Sequence, residues 1–203
     1  MNPNPTPIKS FVFGITINGI LIDPSPLRFW LNKPALKWAY NYFFNMPNPN
    51  IDTFHGHITK NGEYVYKGLP NYSKKIKTTQ LLIGYAADGF PIYNDIVVKK
   101  NKIKKIKSSY KVRKGPRPTG PNGKYNGQFN QDYVYIKNSG DLDMCNGKFG
   151  KTKEYKNGTY YYVLTSTYPY IPRCFKGTPH ISFLTIKKQS QKPKKQYMRN
   201  SNY

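Results

Sequence analysis

Acidic side chains are scarce: nine Asp and Glu stand against 33 Lys and Arg in 203 residues, for a formal charge of +24. So few carboxylates leave little material for paired-carboxylate chemistry. Histidine is rarer still, and the close pair among the three, His55 and His57, has no Cys or third His nearby in sequence, a weak metal signal. The two cysteines, Cys145 and Cys174, cannot build a disulfide framework and lack close metal-ligand spacing. Two buried thiols are the simpler expectation and a single disulfide the alternative. No apolar run approaches the roughly 20 residues that span a bilayer, and no basic amphipathic stretch of the interfacial kind is visible, so no membrane partner is expected. Residues 1–7 lack a basic leader, and the apolar run 11–22 is interrupted by Gly14, Asn18 and Gly19, which argues against a signal peptide and for an intracellular protein. A phosphate loop ending in Lys-Ser or Lys-Thr, a Gly-x-Ser-x-Gly elbow, a His-Glu-x-x-His pair and a dinucleotide fingerprint are all missing. The expectation is a protein that is no enzyme, with no cofactor and no metal.

Aromatics are plentiful, with 19 Tyr and 11 Phe, and 17 Pro and 16 Gly accompany them. That mixture favours short strands and tight turns, hence a mainly β fold, all-β or α+β, in one compact domain with a few helical turns. Residues 11–22 read as two strands around Asn18-Gly19. Segments 63–67, 80–86, 92–98, 132–137 and 159–166 read as strands, with Asp88-Gly89 a tight turn and 181–186 closing the sheet. Segment 27–44, with one Pro and no Gly, is the place for the main helical turns, and its aromatics are expected in the core. The organisation that follows is an arm at 1–10, a domain at 11–186 and a basic tail at 187–203. The tail cannot bury enough apolar area to offset ordering and is expected to be flexible when unbound.

Only five of the basic residues are Arg, and Asn, Ile and Tyr abound, as A/T-rich codons would give. Codon bias does not explain the shortage of Asp and Glu, so the charge itself implies a polyanionic partner. Between residues 96 and 131 lie 11 basic residues and no acidic one. The candidate nucleic-acid contacts there are Lys99, Lys100, Lys102, Lys104, Lys105, Lys107, Lys111, Arg113, Lys114 and Arg117, joined in the tail by Lys187, Lys188, Lys192, Lys194, Lys195 and Arg199. Lysine positions a duplex without reading bases, so little sequence preference is expected. Tyr110, Tyr125 and Phe129 lie among these cations and could stack on unpaired bases, although core placement is the simpler reading.

Six separated phrases carry a resemblance: Phe13-Gly14-Ile15-Thr16-Ile17-Asn18-Gly19 with Asp23-Pro24, then 52–57 with 62–70, 84–93, 139–149, 154–162 and 168–179. In this order they resemble the YHYH-domain family over roughly residues 11–184. Where that family has Tyr-His-Tyr-His-Gly, this chain reads Tyr64-Val65-Tyr66-Lys67-Gly68, and Tyr161 stands where the family often has His. Two histidines one residue apart share a strand face and could hold one metal ion, whereas Val and Lys cannot. The resemblance implies a kept strand with its chemistry removed. His57, Asp52, Asp88, Asp141 and Asp143 fall in matching phrases as remnants of a site, against which local turn hydrogen bonding is the plainer account of the carboxylates.

The leading expectation is therefore a nonspecific nucleic-acid-binding protein that packages or condenses DNA, with RNA as the alternative polymer. Self-association is compatible with that role. The rival readings are a metal-binding protein or enzyme with a residual site at His57, Asp52, Asp88 and Asp143, and a basic structural component of a viral particle.

Overall fold

Short apolar alternations fold into strands throughout the computed structural model, which describes residues 4–8, 12–45, 50–71, 78–99 and 102–184. One eight-stranded sheet dominates. It contains β2 (Gly14–Thr16), β3 (Leu21–Ile22), β4 (Gly56–Ile58), β5 (Tyr64–Tyr66), β6 (Leu82–Ala86), β7 (Pro91–Asn94), β12 (Gly147–Gly150) and β13 (Thr159–Leu164), in the order β12-β13-β7-β6-β2-β3-β5-β4. The pairs β13–β7 and β3–β5 are parallel and the others antiparallel. Three two-stranded ribbons surround it: β1 (Thr6–Pro7) with β14 (Cys174–Phe175), β8 (Ile96–Lys99) with β9 (Lys102–Lys105), and β10 (Tyr110–Val112) with β11 (Tyr133–Tyr135). The mainly β expectation holds.

Two glycines set the sheet's centre. A Cβ on Gly14 would collide with the backbone of Tyr85, and one on Gly84 with the backbone of Ile15, so β2 and β6 can approach this closely only with glycine at both positions. Strand β13 is buried on both faces, which explains its unbroken apolar run. Tyr160, Tyr162 and Leu164 point into one cluster with Phe13, Ile22, Ile83, Ile92 and Phe175, while Tyr161 and Val163 point into a second with Tyr93, Ile106 and Leu142. Phe13 lies edge-on to Tyr162 at 5.0 Å and stacks on Phe175 at 5.4 Å. Each such ring buried adds about 1.5–3 kcal/mol.

Segment 27–44 holds helical turns as expected, the 3-10 turns Trp30–Asn32 and Pro34–Leu36, kept short because Leu31, Asn32 and Lys37 take left-handed backbone angles that stop propagation. Of its aromatics Tyr42 is fully buried, and Trp30, Trp38, Tyr40 and Phe43 are half-buried. Residues 181–184 make a helical turn instead of a closing strand. His180 Nδ1 accepts from the backbone N–H of Ser182 and lies 2.8 Å from its Oγ, capping that turn.

Cys145 and Cys174 are joined in a disulfide, not left as thiols. Asp143 Oδ1 accepts hydrogen bonds from the N–H groups of Cys145 and Gly147, and the resulting turn brings Cys145 to a Cα separation of 4.9 Å from Cys174 on β14. Nothing in a sequence separation of 29 announces that approach. A loop of that length is worth about 3–4 kcal/mol in chain entropy, so reduction is expected to lower Tm by roughly 7–15 °C for a chain of this size. Calorimetry with and without a phosphine reductant measures it, and an unchanged Tm would show that the bridge carries no such stability.

Candidate functional site

Period-two alternation along β5 puts Val65 and Lys67 on one face, and both are buried, at 3% and 2% exposure. Strand β5 runs beside β3 with Ile22 opposite Tyr66, which brings Asp23 to the end of the motif. Lys67 Nζ donates to Asp23 Oδ2 at 3.0 Å and to the Ser25 carbonyl at 3.1 Å, while the Ser25 N–H donates to Asp23 Oδ1. A cation in the interior is tolerated here because it arrives with its carboxylate and a carbonyl. Lys67→Ala leaves Asp23 without that ammonium and is expected to cost about 3 kcal/mol of stability, read by urea unfolding. A loss below about 1 kcal/mol would show that the pair is solvated in effect.

Next to the motif opens a cleft of about 680 Å³, lined by Phe43, His55, Leu69, Asn71, Asp95, Ile96, Ile103, Lys105, Thr165, Ser166 and Tyr170. His55 and Tyr170 both have left-handed backbone, with φ of 65° and 61°. Such bulky residues in that region store about 1–3 kcal/mol each, a form of strain that gathers at functional sites. His55 Nδ1 donates to the Leu69 carbonyl at 2.7 Å, since a carbonyl can only accept. Phe43 packs edge-on to His55 at 4.9 Å and lies 4.5 Å from Tyr170, whose hydroxyl accepts from Asn41 Nδ2. Asp95, buried, accepts from the Ser166 N–H and lies 3.7 Å from Lys105 Nζ. Chemically the cleft offers ring faces, hydrogen-bonding groups and a cation at its rim.

His55 and Leu69 come from the second of the six phrases noted in the sequence and Tyr170 from the sixth, so these two phrases meet in space. The YHYH protein family model matches residues 2–177. The chain belongs to that family. No curated protein and no solved structure matches it. Within the YHYH fold, then, Lys67 occupies a buried position facing Asp23, and Tyr161 is core, packed edge-on to Tyr93 at 5.3 Å.

The four-residue remnant site is not assembled. Asp52 and His57 sit at the β4–β5 end of the sheet, where Asp52 accepts from the N–H groups of Phe54 and Gly56 and from the Tyr64 hydroxyl, and His57 Nδ1 bonds the Asn50 carbonyl. Desolvation works against the Asp52 charge, but these donors outweigh it and hold its pKa below the usual value. Asp88 and Asp143 lie at the other half, bound to the hydroxyls of Tyr162 at 2.6 Å and Tyr160 at 3.0 Å. Burial, then the adjacent carboxylate, raises the pKa of each tyrosine. The sheet order itself separates the two pairs. Among the described residues no group of three or more His, Cys, Asp and Glu is placed to hold a metal ion.

The basic stretch divides by role. Arg117 is a correction, because its guanidinium is only 3% exposed and makes two 2.8 Å bonds to Asp132. Nη1 also donates to the Asn122 carbonyl and Nη2 to Asn126, so four of its five N–H groups are bound within the fold, which removes it from the phosphate-contacting set. Lys104 pairs with Asp141 at 2.9 Å and Lys105 with Asp95. Lys102, Lys107, Lys111, Arg113 and Lys114 are exposed, with no carboxylate in ion-pair range among the described residues. Lys100, the Lys99 side chain and the tail cations Lys187, Lys188, Lys192, Lys194, Lys195 and Arg199 lie outside the described residues. Phe129 is core between Trp38 and Tyr40, and half-buried Tyr110 packs on Tyr135 and Tyr168 with its hydroxyl donating to the Met144 carbonyl.

Proposed function

We propose that this YHYH-family chain is a non-enzymatic, sequence-nonspecific nucleic-acid-binding protein that coats or condenses duplex DNA, with RNA as the alternative polymer. One observation carries the reading: eight of the nine carboxylates, all but Glu63, are engaged in hydrogen bonds or ion pairs within the fold. Two of these carboxylates, Asp95 and Asp132, are buried and six others are held by partners in the fold, while most of the described lysines are exposed, so the surface charge is more one-sided than the composition alone implies. Exposed cations follow one another from the β8–β9 hairpin through Lys107 to the β10–β11 ribbon, a strip suited to a phosphate backbone.

An intracellular setting, in a nucleoid or a viral particle core, is part of the proposal. The disulfide bears on it, since such bonds are rare in reducing cytosol, and it favours an assembled particle or another oxidising compartment over free cytosolic residence. Gel retardation with duplex DNA, single-stranded DNA and RNA at two salt concentrations tests the reading. Retardation of unrelated duplexes alike is the expected result. Failure of micromolar protein to retard any of the three polymers at low salt sinks it.

The second reading, a residual YHYH-family activity, is favoured by the strained His55 and Tyr170 in the cleft. Its test is activity or ligand binding lost on His55→Gln with DNA binding unchanged.

A further inference from the structure

Phe149, 62% exposed, is the most exposed aromatic side chain among the described residues. It stands on β12, the end strand of the eight-stranded sheet. A Cβ on Gly158 would come within 3.0 Å of its ring, so the ring rests against the glycine turn of the β12–β13 hairpin and leaves most of its surface to solvent. The aromatics that the sequence places among the cations of 96–131 offer no such face, because Phe129 is core and Tyr110 and Tyr125 are half-buried.

Cations surround that ring. Phe149 lines an open groove of about 420 Å³ with Tyr135, Lys137, Lys148 and Lys176, and the turn of the hairpin adds exposed Lys151, Lys153 and Lys156. Of these lysines only Lys176 has a carboxylate in ion-pair range among the described residues, Asp143 at 3.8 Å. Asp141 and Asp143 also line the groove, but both are engaged. Asp141 is held by Lys104 and the Lys107 N–H, and Asp143 accepts from the N–H groups of Cys145 and Gly147 and from the Tyr160 hydroxyl. An open ring among unpaired cations suits single-stranded nucleic acid, whose phosphates meet the charge while an unstacked base meets the ring face. A duplex keeps its bases stacked inside, and an acidic peptide would use the lysines alone. We propose that the β12–β13 hairpin is a second nucleic-acid contact, for unpaired nucleotides of DNA or RNA, with one base stacked on Phe149 and the flanking phosphates on Lys137, Lys148 and Lys151. The inference rests on the nucleic-acid-binding reading and adds a preference for strand form that the 96–131 strip does not supply.

Fluorescence anisotropy at one salt concentration, with a short oligothymidylate, an abasic strand of the same length and charge, and a duplex, tests the assignment. The wild-type protein is expected to bind oligothymidylate at least about fivefold more tightly than the abasic strand, since only the former brings a base to the ring. Phe149→Ala removes an exposed side chain and leaves the core intact, and it is expected to erase that difference while keeping wild-type affinity for the duplex. Phe149→Trp should retain the difference, because indole stacks as well. The variant lacking five surface cations described in the Discussion should lose duplex affinity and still prefer oligothymidylate to the abasic strand. Equal binding of those two strands by the wild type, unchanged oligothymidylate affinity in Phe149→Ala, or an equal loss for duplex in that variant each overturns the proposal, while the coating of duplex by the 96–131 strip stands. A protein that binds no duplex but shows the preference that depends on Phe149 gives the converse result, in which the strip falls and the hairpin site holds.

Discussion

From roughly 50 to 200 mM salt, affinity for duplex DNA is expected to fall about 10³ to 10⁵-fold, the consequence of about 6–10 phosphate contacts each releasing a condensed counterion. The variant that isolates the cause replaces Lys102, Lys107, Lys111, Arg113 and Lys114 with Gln. These five are exposed and outside the ion pairs of the fold, so their loss removes charge without removing a structural partner. Lys104, Lys105 and Arg117 are left alone because Asp141, Asp95 and Asp132 depend on them. If all five touch phosphate, the slope of log K against log salt flattens by up to about 4.5, and every duplex weakens together because backbone contacts carry no base information. A variant with wild-type affinity and slope would remove this strip from the interface. A variant that weakened one sequence and spared others would contradict nonspecific binding.

The sheet was largely legible because its strands are short alternations bounded by Asn-Gly and Asp-Gly turns, as at Asn18-Gly19 and Asp88-Gly89, where both glycines have positive φ. Buried β13 was legible as a run. The ribbons were legible only in part: segments 92–98 and 132–137 cover β8 and β11, but β1 is two residues long, and β9 reads Lys-Ile-Lys-Lys, a charged sequence that pairs with β8 through backbone bonds to which side chains give no clue. The disulfide escaped for a related reason, since a long-range approach of two cysteines depends on the turn at Asp143 and on where β14 docks. Burial of Lys67 and Arg117 also ran against residue type. Lysine and arginine are expected outside, and only the positions of Asp23 and Asp132 in space reveal that each has a counter-ion inside. The cleft was the least legible part, because nothing in the letters of His55 or Tyr170 indicates a left-handed backbone.

Asp132→Ala is expected to be the most damaging single substitution outside the hydrophobic clusters, at about 4–5 kcal/mol, or roughly 10–20 °C in Tm. The carboxylate is fully buried and accepts both arms of the Arg117 guanidinium together with the N–H groups of Gly127, Phe129 and Asn126. Removing it strands a guanidinium that is itself buried over the Phe129 ring at 5.0 Å, and it leaves three amides of one loop without their acceptor. The same contacts fix a pH signature. Burial alone would raise the Asp132 pKa, but hydrogen bonds from Arg117 and from the backbone of Phe129 and Asn126 outweigh it and hold the pKa below its ordinary value. A carboxyl depressed by folding contributes stability that is present above its unfolded pKa of about 4 and is lost as pH falls through the folded value. Asp132→Asn cannot lose what it does not have. The gap in Tm between wild type and Asp132→Asn should therefore be widest near pH 7 and shrink as pH falls from about 4 toward 2. A gap that stays constant across that acid range would show that the carboxylate's charge contributes nothing and that Asp132 acts through hydrogen-bond geometry alone.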